Sequence, residues 1–152
     1  MLIFWGDHLP SMAVNNNETV FSQLGVYESP ASITWSTEQL KTMLTTDYLV
    51  WSNYETEKDP HHTESCTLLG LYVLKRLGFT LTDYYAWLDT MVAPRMLMYR
   101  PRLFVDAAGT AWPDVPEEAA GVMDSYAKFE YDIIYGGNEI LTSLQGAKQQ
   151  SE

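Results

Sequence analysis

Apolar positions along this chain alternate between short unbroken runs and helical stripes. Residues 2–5 (Leu-Ile-Phe-Trp) form one run, stopped by Gly6, and residues 48–51 (Tyr-Leu-Val-Trp) form a second. Runs of this length predict fully buried strands. Between them, Asn15, Asn16 and Asn17 offer a helix cap, Glu18 an acid for the first turn and Gly25 a stop. Ser36-Thr37-Glu38-Gln39 has the spacing of a capping box and predicts a short helix to about Met43. Residues 52–62 are polar, contain Pro60 and read as a loop.

The second half is richer in helical signals. Residues 65–77 are apolar on most sides and predict a buried helix. Lys75 and Arg76 suit its C-terminal dipole, and Gly78 suits a left-handed cap. Tyr84, Trp87, Leu88, Met91 and Val92 fall at i, i+3, i+4, i+7 and i+8, with Thr82 to cap the helix and Pro94 to stop it. Residues 102–106 and 110–112 flank Ala107-Ala108-Gly109 as a hairpin would. Asp114, Pro116 and Glu117 open a last helix with the stripe Val122, Tyr126, Phe129 and Ile133, ended by Gly136 and Gly137. The tail, residues 148–152, reads as frayed. Strands alternating with about four to five helices predict an α/β class. The few strands do not complete a doubly wound sheet.

Composition narrows this picture. The 152 residues are one domain's worth of chain, and 46% hydrophobic with 13% aromatic residues excludes disorder over most of it. A formal net charge of −11 argues against nucleic acid and anionic membranes as partners. The single cysteine, Cys66, permits no intramolecular disulfide or cysteine metal cluster, and its apolar neighbours predict an inert core thiol. No apolar run approaches the roughly 18 residues of a membrane span, and the first residues lack the marks of a signal peptide.

One local feature points to chemistry. Asp7 and His8 follow Gly6 at the carboxyl end of the first run, where ligand sites lie in open α/β sheets. A carboxylate and an imidazole are both good ligands for a divalent metal. Gly6 permits the chain to turn, so that the two side chains converge rather than point to opposite faces. Taken alone, the tripeptide also fits a solvated turn, since two ligands do not make a site. His61 and His62, beside Asp59 and Glu64, read as a polar loop. The sequence has no Gly-x-Ser-x-Gly elbow and no Gly-rich phosphate loop.

Five segments in order nevertheless resemble one family. Leu2-Ile3-Phe4-Trp5-Gly6-Asp7-His8-Leu9-Pro10 resembles the late metal-binding strand of the lipoteichoic acid synthase and phosphoglycerol transferase branch of the sulfatases, within the alkaline phosphatase superfamily. The segment from Thr46 to Tyr54, Thr-Asp-Tyr-Leu-Val-Trp-Ser-Asn-Tyr, is similar to that family's Thr-Pro-Phe-x-Ile-Trp-Ser-Asn-Tyr strand. Residues 68–78 and 84–88 resemble the two helices that follow. Glu130-Tyr131-Asp132-Ile133-Ile134-Tyr135-Gly136 resembles the closing Gln-Tyr-Asp-Ile-Leu-Phe-Gly. Asp47 stands where the family has Pro, Glu130 replaces Gln, and Cys66-Thr67 replaces Asn-Tyr.

The resemblance implies that residues 1–141 are the C-terminal portion, roughly the last third, of a sulfatase-like three-layer catalytic domain, with residues 142–152 as a polar tail. It implies that Asp7 and His8 are half of a divalent-metal site, manganese or a similar ion in this branch. The early acidic ligand and the Thr nucleophile belong to the missing N-terminal part of that domain. The chain alone is then expected to be inactive, and the parent family to be membrane-anchored with its catalytic domain outside the membrane. Two alternatives stand beside this. One is a sulfatase-type ester hydrolase fragment, separated from the first only by the upstream nucleophile. The other is a non-catalytic α/β module that forms a homo-oligomer through a sheet edge left exposed beside residues 2–5.

Overall fold

The computed structural model describes residues 1–142 apart from Ser11, Asn16, Asn17, 29–33, Glu55, Thr56, His61, Asn138 and Leu141. The Asn16–Asn17 part of the expected cap, His61 and the 148–152 tail therefore lie outside the described residues. The chain is mixed α/β, with two small sheets, and divides into two units, Met1–His62 and Thr63–Glu152. Among the described residues no helix is long and apolar enough to cross a membrane.

In the first unit, β1 (Leu2–Trp5) pairs antiparallel with β2 (Tyr48–Trp51), in the register Leu2↔Trp51 through Trp5↔Tyr48. Opposed residues share a face. Leu2, Phe4, Leu49 and Trp51 therefore line one face of the ribbon, and each is more than half exposed. On the other face Ile3, Tyr48 and Val50 are half-buried, while Trp5, opposite Tyr48, is 59% exposed. The expectation of two fully buried strands is thus corrected. An unbroken apolar run suits a strand covered on both sides, but this two-stranded ribbon has water along one face and at Trp5 on the other.

Two short helices lie between the strands. Thr19, rather than an Asn, caps α1 (Val20–Gln23): its side chain accepts from the Ser22 amide and its own amide donates to Ser22 Oγ. Gly25 follows at φ +74°. Ser36 and Gln39 form the expected reciprocal box at the start of α2 (Thr37–Met43). Tyr27, stacked on Trp35 at 4.6 Å, and Leu40 are the buried hydrophobics among this unit's described residues.

The second unit holds the larger core. Leu68, Leu71, Leu88, Val92, Met96, Phe104, Ala119, Met123 and Tyr126 form one buried cluster. α3 (Leu69–Arg76) is shorter than the sequence predicts and only half-buried, with Leu71 its one buried residue. Gly78 takes the expected left-handed conformation, φ +71°. α4 (Asp83–Trp87) runs into a π-helical turn, Leu88–Val92, whose i+5 bond is Ala93 N–H to Leu88 O at 2.9 Å. Leu88 and Val92, the first and last residues of this turn, are both almost fully buried. The turn swings Met91 off the predicted stripe to 37% exposure.

A three-stranded antiparallel sheet follows, in the order β3 (Met98–Arg100), β4 (Leu103–Val105), β5 (Ala111–Trp112). β3 is not predicted by the sequence. Pro101 and Arg102 form the turn before β4, with Arg102 at φ +66°, so the strand begins one residue later than the pattern suggests. The expected β4–β5 hairpin is present, with Gly109 at φ +86°. Asp106 organises it: its Oδ1 accepts from the amides of Ala108 and Thr110, and its Oδ2 accepts from the Trp112 indole at 2.9 Å.

The last helix, α5 (Glu117–Tyr131), turns Ala119, Met123, Tyr126 and Phe129 into the core. It ends in a π-helical turn, Asp132–Gly136, and Gly137 then adopts φ +83°. Ile133, expected on the buried stripe, is 41% exposed. Its neighbour Asp132 is buried instead, because the chain folds back over it. The amides of Glu139 and Ile140 donate to Asp132 Oδ1 and Oδ2 at 3.1 and 3.0 Å. A Cβ on Gly136 would collide with Asp132 Oδ1, so glycine at 136 is what lets this lock close.

Asp132→Ala leaves both amides without an acceptor and is expected to cost about 2 kcal/mol in urea unfolding. Gly136→Ala is expected to cost about 1–3 kcal/mol through the clash. The double variant should cost less than the sum, because removing the carboxylate removes the collision. A second expectation concerns acid. The Trp112 indole and the backbone amides hold the Asp106 carboxyl below its usual range. A depressed folded pKa gives stabilisation that is present above the ordinary carboxylate pKa and is lost as pH falls through the folded value. The Trp112 indole N–H resonance should therefore move in acid below that ordinary range, and Asp106→Asn should abolish the titration.

Candidate metal site

Gly6 continues the ribbon past β1. Its amide donates to Asp47 O at 3.3 Å, and its carbonyl accepts from Thr46 Oγ1 at 2.7 Å. A Cβ on Gly6 would lie 3.1 Å from Thr46 Cβ, so the close approach depends on glycine. Thr46 and Asp47 precede β2 directly and pin the point where the chain leaves the ribbon. Asp7 and His8 come next, 83% and 74% exposed at their side chains.

The two side chains do converge. The His8 backbone amide donates to Asp7 Oδ1 at 2.9 Å, and His8 Nε2 lies 3.6 Å from Asp7 Oδ2. His8 Nδ1 sits 2.9 Å from Leu9 O. A carbonyl only accepts, so Nδ1 must carry the proton in this arrangement. In the neutral ring that leaves the lone pair on Nε2, toward the carboxylate. A backbone carbonyl orienting a ligating imidazole in this way is a recurrent feature of metal sites.

The donor set can be tested against a bound ion. Two ligand atoms each ~2.1 Å from a tetrahedral centre stand ~3.4 Å apart. The 3.6 Å between Asp7 Oδ2 and His8 Nε2 is close to that spacing. Asp7 Oδ1 is held by a backbone amide, which leaves Oδ2 as the oxygen near the ring nitrogen. Among the described residues no third His, Cys, Asp or Glu joins them.

The other titratable groups noted in the sequence stay apart from this corner. His62 Nδ1 pairs with Asp59 Oδ2 at 3.1 Å, half-buried, and no metal-holding group of three forms around it among the described residues. Cys66 is exposed rather than in the core, because the residues before α3 form a turn that leaves its side chain in solvent. In the second unit, Tyr126 donates to Glu130 Oε1 at 2.6 Å. Burial, followed by the hydrogen bond to Glu130, pushes the Tyr126 phenol far above its usual pKa, and burial with Glu130 raises Tyr84 as well. Both stay protonated at neutral pH and serve packing and hydrogen bonding.

The sequence singled out Asp7 and His8. It gave no role to the Leu9 carbonyl or to the Thr46 hydroxyl. Thr46 could have been found from the ribbon register, which sets it just beyond the last pair, Trp5↔Tyr48. A scan against protein-family models, a search of curated proteins and a search of solved structures each returned no match.

Thr46→Val removes the bond to Gly6 O while keeping the shape of the side chain. Hydrogen exchange at the Gly6 amide should then speed up by about three- to tenfold, equivalent to about 0.5–1.5 kcal/mol. Gly6→Val should expose the same amide more strongly, because its β-carbon meets Thr46 within contact distance.

Proposed function

We propose that this chain supplies the Asp-His side of a divalent-metal site in an enzyme of the phosphoglycerol transferase branch of the sulfatases, similar to lipoteichoic acid synthase, and that it is inactive alone. The observation that carries this reading is the pairing of Asp7 Oδ2 with His8 Nε2, 3.6 Å apart at the carboxyl end of β1, with the ring oriented by Leu9 O. Manganese fits the mixed oxygen and nitrogen donors. A bound ion would polarise a phosphoryl oxygen and lower the pKa of a nearby hydroxyl. Asp7 would hold the ion through Oδ2 and offset its charge. His8 would hold it through Nε2, and the Leu9 carbonyl would keep the imidazole in the required tautomer. The remaining ligands and the Thr nucleophile would come from outside the described residues, within an alkaline phosphatase-like three-layer fold. In the living cell that enzyme would be membrane-anchored, with its catalytic domain outside the membrane.

A second reading, a non-catalytic module that self-associates, is favoured by the ribbon. Leu2, Phe4, Leu49 and Trp51 present apolar surface on one face. Exposed ribbons of this kind invite pairing with another chain.

Electron paramagnetic resonance of Mn²⁺ titrated with the chain tests the first reading. Weak binding is expected, with Asp7→Asn and His8→Gln each weakening it by about tenfold or more. Mn²⁺ binding that both variants leave unchanged would sink the assignment. Turnover of a chromogenic phosphodiester with Mn²⁺, abolished by Asp7→Ala, would show that the chain needs no other segment.

A further inference from the structure

The outward face of α5 is independent of the metal reading. Opposite its buried stripe the helix presents Ala120, Gly121, Asp124, Ala127 and Lys128, all exposed. The face continues through Tyr131, Ile134 and Tyr135, which are 65%, 66% and 75% exposed. As far as Tyr131 each member has a neighbour three or four residues along, so they form one strip, and Ile134 and Tyr135 follow in the π-helical turn. Its N-terminal half is small: a Cβ on Gly121 would meet nothing within 4 Å. Its C-terminal half is large, with the Tyr131 and Tyr135 rings 5.3 Å apart.

We infer that this face docks a second copy of the same chain, the two α5 helices packing antiparallel about a two-fold axis at the level of Tyr126. The face is self-complementary. Reversing the helix about that level puts Tyr131 over the partner's Gly121, and Gly121 under the partner's Tyr131. The small residues let the two helices approach while the tyrosines fill the space above them. The same operation sets Asp124 beside the partner's Lys128, twice. Within one chain these two residues already pair, Lys128 Nζ to Asp124 Oδ2 at 2.5 Å, so both charges sit on the face and can be shared across it. Tyr135 meets the partner's Glu117, a hydroxyl against a carboxylate.

Charge selects among occupants. A chain of net charge −11 repels another copy at most approaches. Here each lysine meets an aspartate. Area sets the strength. Tyr131, Ile134 and Tyr135 expose on the order of 400 Å² per copy, taking ~200 Å² for each large side chain. Two copies, with the small-residue surface they cover, reach the low end of specific interfaces, about 1,200 Å². The dimer is therefore weak and concentration-dependent, unlike an obligate one.

Sedimentation velocity of the full chain across micromolar to sub-millimolar concentrations tests this. A monomer–dimer equilibrium is expected. Tyr131→Ser and Lys128→Glu should each weaken it by about tenfold or more, with circular dichroism unchanged. The charge swap Asp124→Lys with Lys128→Glu should restore it, since opposite charges face each other again. A chain that stays monomeric throughout overturns the inference. So does a dimer that survives Tyr131→Ser and is lost in Phe4→Lys, which would place self-association on the ribbon instead.

Discussion

Val92, Met96 and Phe104, each almost fully buried, meet the Ala119, Met123 and Tyr126 face of α5, and the second unit is arranged around that meeting. The contact couples three kinds of local structure. The π-helical turn at Leu88–Val92 buries Leu88 and Val92. β4, buried at all three of its residues, carries Phe104 inward. α5 presents one continuous inner face. A core shared in this way makes each element's stability depend on the others, because each apolar side chain stabilises the fold only while its neighbours stay in place. The Lys75–Asp89 pair at 2.6 Å adds a surface tie between α3 and the π-helical turn, worth little beside that burial.

The first unit has no comparable centre among its described residues, where only Tyr27 and Leu40 are buried hydrophobics. Its ribbon is held by register and by the Gly6–Thr46 and Gly6–Asp47 bonds. Isolated two-stranded ribbons are marginal in water. Gly6 matters here because it sits where the pairing stops, and Asp7 and His8 follow it directly.

What could be read from the sequence was what local chemistry decides. The Ser36–Gln39 box, the left-handed Gly78 and the Gly109 hairpin depend on residues a few positions apart, and they appear where the pattern puts them. β3 was not legible, because Met98-Tyr99-Arg100 becomes a strand only by pairing with β4. The burial of Asp132 was not legible either, since it depends on Glu139 and Ile140 returning over it. The exposure of the ribbon was misread for a related reason. Residues 2–5 and 48–51 record how apolar a strand is, but no local pattern records what covers it. At the candidate site the identities Asp7 and His8 were legible, while their aim was not, because it is set by the rotamer that brings His8 Nδ1 to Leu9 O.

The ribbon and the proposed metal corner impose one requirement between them. Two donors hold an ion well only if their positions are fixed before it arrives, since any freedom they lose on binding weakens it. Asp7 and His8 are mostly exposed, and their backbone is anchored through Gly6 to a ribbon whose apolar residues are largely in water. Whatever covers Leu2, Phe4, Leu49 and Trp51 would stiffen that ribbon and so fix the direction in which Asp7 Oδ2 and His8 Nε2 point. An ion at the corner and a partner on the apolar face would then be coupled: each would bind more tightly in the presence of the other, without needing to touch it. A corner built on the second unit's core would show no such coupling, because its backbone would already be fixed by packing.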